Sequence, residues 1–140
     1  AAKADVDEQD EDGSSPLYIA AGNGDIEVVK ELITAKADVD AQEADVDAQD
    51  EDGKSPLWIA VHKGHIEAVK VLIAAKADVD AQDKSGKFPL LLAAHKGQIE
   101  AVKLLIAAKA HIDAQDEDGK SPLYAAVFKG RDEIIEVLIA

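Results

Sequence analysis

The chain has 140 residues, with 29 acidic against 15 basic side chains, a formal net charge of -14 and a pI of about 4.5. That charge argues against a phosphate backbone or an anionic membrane as partner, and the absence of cysteine excludes disulfides, a thiol nucleophile and thiolate metal sites. No stretch reaches the roughly 18–20 apolar residues of a membrane span and residues 1–10 lack a leader-like pattern, so the expected location is cytoplasmic.

Apolar residues make up 47 %, too many for a disordered acidic tail, but 26 of them are alanine and only 4 % of the chain is aromatic. Such a composition suits thin layers in close contact better than one bulky core. Repetition then organises the chain. A Pro-Leu pair follows Ser15, Ser55, Phe88 and Ser121, and its prolines are 40, 33 and 33 residues apart. Gly13, Gly53, Gly86 and Gly119 keep the same spacing. The units run 4–36, 44–76, 77–109 and 110–140 within a single domain spanning 1–140.

In chain order, each unit opens on an acidic tract such as Asp10-Glu11-Asp12-Gly13. A first helix is predicted at each Ser-Pro pair, because the hydroxyl caps free N–H groups and proline suits the first turn. In the second unit it covers Pro56–Lys63. The predicted stops are Gly24, Gly64, Gly97 and Gly130, which close a helix in the left-handed conformation. A second helix follows, with stripes such as Ile66, Val69, Leu72, Ile73 and Ile99, Val102, Leu105, Ile106. One unit alone cannot bury that stripe, so neighbouring units must stack. The tract Ala77–Gly86, polar apart from Val79, reads as an extended loop or short hairpin. Between the first two units the motif 37–43 is repeated at 44–50. The extra seven residues, 37–43, predict a bulged, mobile loop around 37–45, with the ordered finger formed by the second copy.

The period, the Gly-x-Ser-Pro-Leu start, the paired alanines, the glycine before the second helix and the Ala-Asp-Val-Asp-Ala tail resemble the ankyrin repeat family over nearly the whole chain. The resemblance implies an all-α solenoid of helix-turn-helix units with projecting β-turn fingers and a concave face. Three features depart from the family pattern. Its Thr and His positions hold Ser15, Ser55, Phe88, Ser121 and Tyr18, Trp58, Leu91, Tyr124, so aromatic packing against the next finger is expected to replace the usual Thr–His bond. Its glycine before Ala-Asp-Val is Lys36, Lys76 or Lys109, which implies either a left-handed lysine at about 1 kcal/mol or a different helix end. The third is the duplicated loop. Ala1–Lys3 reads as the tail of a preceding unit and Ile139-Ala140 stops inside one. Either a designed, consensus-like array or a segment of a longer one is therefore expected, with end-to-end self-association of its apolar end faces.

No chemistry is legible. Aligned on Gly53, a calcium loop would need ligands at Ala48 and Ile59, which supply none. The four histidines lack zinc-ligand partners, and no GxSxG, HExxH, P-loop or GxGxxG motif is present. The chain is expected to be no enzyme and to hold no metal or cofactor. The expected function is that of a protein-interaction module or scaffold; the alternative is a structural spacer or self-assembling stack. Carried over position by position, the family's binding columns fall at the tips Glu11, Asp12, Glu51, Asp52, Lys84, Glu117 and Asp118. They continue through Lys54, Lys87 and Lys120, and along the first helices through Tyr18, Asn23, Trp58, His62, Lys63, Phe88, His95, Lys96, Tyr124, Phe128 and Lys129. Of the 29 acidic residues, 21 lie in fingers and connecting loops, so a partner protein with a basic patch facing the fingers is expected, and no nucleic acid or membrane.

Overall fold

The computed structural model describes residues 4–34 and 45–140. Those residues form α1 (Pro16–Asn23), α2 (Ile26–Ile33), α3 (Pro56–Lys63), α4 (Ile66–Ala74), α5 (Pro89–Lys96), α6 (Ile99–Ala107), α7 (Pro122–Phe128) and α8 (Asp132–Ile139), with no strand among them. The starts follow from local chemistry. Ser15, Ser55 and Ser121 are extended, and each Oγ accepts from the backbone N–H of Tyr18, Trp58 and Tyr124 at 3.2, 3.1 and 3.1 Å. Proline fills the first turn that follows. Phe88 occupies the same position before α5 and supplies no side-chain cap. Gly24, Gly64 and Gly97 close α1, α3 and α5 in the left-handed region. α7 stops one residue earlier, at Phe128, and Gly130 still carries a φ of 66°.

Lys76 and Lys109 settle the choice between a strained lysine and a different helix end. Both are left-handed, with φ of 68° and 69°. The cost is accepted because it closes α4 and α6: Lys76 N–H donates to Ile73 at 3.0 Å and Ala77 N–H to Leu72 at 3.0 Å, pairing carbonyls the helix leaves open. Lys76→Gly and Lys109→Gly are each expected to stabilise the protein by about 1 kcal/mol, read as a higher urea midpoint at unchanged m-value. Lys36 and all but the last residue of the loop expected around 37–45 lie outside the described residues.

The fingers are tight turns stitched in a ladder. Asp50 Oδ1 accepts from the N–H groups of Asp52 and Lys54 at 2.9 Å, and Asp10, Asp83 and Asp116 repeat the arrangement. Between fingers, Glu51 N–H donates to Asp12 at 3.0 Å, Lys84 N–H to Asp52 at 2.9 Å and Glu117 N–H to Ser85 at 3.3 Å. A second row joins carboxylate to backbone: Asp45 to Asp7, Asp78 to Asp47 and His111 to Asp80, at 2.8–2.9 Å. Asp45, where the described residues resume, thus joins the second finger to the first. The tract 77–86 is a run of turns rather than a hairpin.

Helix pairs stack in order, α1 on α3, α3 on α5 and α5 on α7, with α2, α4, α6 and α8 forming a second row. The first helices pack more closely than the second ones. Their small residues (Ala20, Ala21, Ala60, Ala93, Ala94, Ala125 and Ala126) are all buried and allow that approach. Leu17, Leu57, Leu90, Val69, Leu72, Val102, Leu105 and Ile134 fill the seams between units. No helix of the described residues is long and apolar enough to cross a membrane.

Candidate functional site

The candidate site is the strip where the row of α1, α3, α5 and α7 meets the laddered fingers. Glu11, Asp12, Glu51, Asp52, Lys84, Glu117 and Asp118 are exposed at the finger tips. Asn23, Lys63, Lys96 and Lys129 form an exposed ridge along the first helices. The Asp ladder consumes carboxylate oxygens inside the turns, and among the described residues no group of three or more His, Asp or Glu could hold a metal.

The ring-bearing positions behave in three ways. Tyr18 is half-buried, and Asp50 and Asp52 of the next finger are near enough to act on its hydroxyl. Burial, reinforced by Asp50 and Asp52, pushes its pKa up to about 12. Trp58 instead packs on its own helix, stacked on His62 with ring centroids 4.9 Å apart and Lys54 Nζ 4.7 Å over its ring. Its residual exposure of 6 % leaves little for a partner. Tyr124 stacks on Phe128 at 6.1 Å, and the pair is open, at 50 % and 72 % exposure.

Phe88 corrects the sequence reading. It was expected among the partner-binding residues, but at 1 % exposure it is one of the most deeply buried side chains. The serine it replaces is small enough to sit in the seam and cap the helix; a phenyl ring there has no polar work to do and fills the seam. Leu91 is the counterpart. It stands in the column of Tyr18, Trp58 and Tyr124, and its smaller side chain leaves room between α5 and α7. The space is a groove of about 190 Å³, floored by Leu91, Leu92 and Ala125 and lined by Lys87, His95, Asp116, Lys120, Tyr124 and Phe128. Leu91 and Leu92 were not among the residues expected at the site. The signal available in sequence was the single aliphatic residue in an otherwise aromatic column.

Charge sharpens the picture. His62 and His95 are both held below the ordinary 6.5. Burial is the main cause for each, followed by Lys96, Lys63 and Lys54 around His62, and by Lys129, Lys96, Arg131 and Lys87 around His95. His62 Nδ1 is buried without a hydrogen-bond partner among the described residues, so a protonated ring would strand a donor there. Both histidines are expected to titrate below 6.5 by NMR, and added salt should move them partway back by screening the lysines while leaving the burial effect. Because the unfolded chain takes up these protons first, their contribution to stability falls as pH drops below about 6.5.

A family model described as ankyrin repeats (3 copies) matches residues 2–83 and 73–140. A search of curated proteins found no match. Repeats of this type are generally protein–protein interaction modules. With eight helices in stacked pairs among the described residues and turn fingers laddered beside them, the chain belongs to the ankyrin repeat family.

Proposed function

We propose that this chain is a protein-interaction module that holds its partner against the strip and the finger tips. The observation that carries the reading is the open Tyr124–Phe128 stack beside His95. Large aromatic side chains rank among the strongest contributors to interface energy, and these two are held on a helix whose inner face is already packed. The strip is preformed by capped helices and a hydrogen-bonded ladder, so binding orders little and the entropic cost stays low. The acidic tips favour basic residues on the part of the partner that meets them. Affinity capture with the intact chain, followed by mass spectrometry, tests the reading against the variant His62→Ala/His95→Ala/Phe128→Ala. The same proteins recovered in the same amounts by the folded variant would refute the assignment of the strip.

The competing reading is an end-to-end stack of copies. It is favoured by Leu123 and Val127, which are exposed where their counterparts Leu57, Leu90 and Val61 are covered by the following unit. Sedimentation at rising protein concentration decides: a monomer throughout removes this reading.

A further inference from the structure

We infer that the groove between α5 and α7 takes an acidic peptide segment, one that places an apolar side chain on Leu91 and Leu92 and its carboxylates on the surrounding cations. This deepens the proposed function and rests on it: it gives the chemistry of the partner at one place on the strip. Two independent observations carry it.

The first is the shape and lining of the groove. Its floor is aliphatic, one wall is the Tyr124–Phe128 stack, and its volume of about 190 Å³ has room for a large apolar side chain. The same column one unit earlier is filled by Trp58 lying against His62.

The second is charge. On a protein of net charge -14, Lys87 and Lys120 line the groove, and Lys96, Lys129 and Arg131 are near enough to His95 to depress its protonation. Among the described residues no carboxylate lies within ion-pairing distance of Lys87, Lys96, Lys120 or Lys129. The two acids at the groove are less of an obstacle than their charge suggests. Asp116 Oδ1 already accepts the N–H groups of Asp118 and Lys120, each at 2.9 Å, and Asp118 sits at the exposed tip. Unpaired lysines facing an apolar floor select a ligand carrying negative charge beside an apolar side chain. A short segment suits better than a long polyanion, because a nucleic acid strand following the lysine ridge would run beside the acidic tips Glu51, Asp52, Glu117 and Asp118.

The test uses a fluorescein-labelled peptide with a central Phe flanked on both sides by Glu, its Lys-flanked counterpart, and a labelled single-stranded oligonucleotide, each titrated by anisotropy against the full chain. The Glu peptide should bind, weaken steeply as salt rises, and exceed the Lys peptide by roughly tenfold or more. Lys87→Glu/Lys120→Glu alters two exposed side chains, and its fold is checked by circular dichroism; it should lose roughly tenfold in affinity for the Glu peptide. Equal or tighter binding of the Lys peptide overturns the inference, as does an unchanged affinity in the charge-reversed variant or tighter binding of the oligonucleotide. Binding of neither peptide at any salt concentration also overturns it. Affinity capture by the intact chain separates the two readings: partners recovered by a chain that binds neither peptide overturn the acidic-peptide inference alone, whereas a chain that captures nothing and binds neither peptide overturns the interaction-module reading as well.

Discussion

Gly86→Ala is expected to destabilise the protein by about 2–5 kcal/mol, and Gly119→Ala by only about 1–2 kcal/mol. The two glycines hold the same finger position with almost the same φ, 80° and 78°, so the left-handed penalty on alanine is common to both. What differs is the surroundings. A Cβ at Gly86 would lie 2.9 Å from Glu117 N, whereas at Gly119 it would meet nothing within 4 Å. The obstacle is backbone, which cannot rotate away, and Glu117 N is the donor of the inter-finger bond to Ser85. The clash therefore opens a rung of the ladder as well as straining a turn. Gly53, with Lys84 N at 3.0 Å, should behave like Gly86. Urea denaturation of the variants checks the claim. Equal losses at Gly86 and Gly119 would show that the turn conformation alone is being paid for and that the ladder adds nothing.

Phe88→Ser is expected to destabilise by about 2–4 kcal/mol, even though it restores the residue found at the other three helix starts. A serine cap is worth about 1 kcal/mol, and it would give α5 the bond that Ser55 gives α3. Removing a fully buried phenyl ring costs about 3–5 kcal/mol through lost burial and the cavity left behind. The burial term is the larger, so the melting temperature should fall by roughly 10 °C. A variant more stable than the parent would show that the neighbouring unit closes over the smaller side chain. The contrast with Phe128→Ala is informative. That ring is 72 % exposed, so its loss should leave the melting temperature within a few degrees and act on partner binding instead.

The repeat, the helix starts and most of the helix stops were legible because each depends on residues adjacent in the chain. Ser-Pro caps and begins a helix through bonds spanning three residues, and Gly24, Gly64 and Gly97 end one through their own φ. The segment Pro56–Lys63 accordingly coincides with α3. The helical stripes also implied that units must stack, since a stripe such as Ile66, Val69, Leu72 and Ile73 cannot be buried within one unit.

The site was legible only as columns. Sequence placed Phe88 and Phe128 together among the residues expected to bind; the structure buries one in a seam and leaves the other open. It likewise left two endings available at Lys76, and the pairing of Leu72 and Ile73 carbonyls decided for the left-handed one. Thus the sequence by itself determined the period, the elements, the family resemblance and the acidic character of the fingers. Only the tertiary structure decided which rings are covered, where the missing bulk of Leu91 opens a groove, and which lysines gather around His95. The physical reason is that capping and helix closure act over a few bonds along the chain. Exposure and electrostatic neighbourhood are set instead by the offset between stacked units, which bring together residues roughly a whole repeat apart.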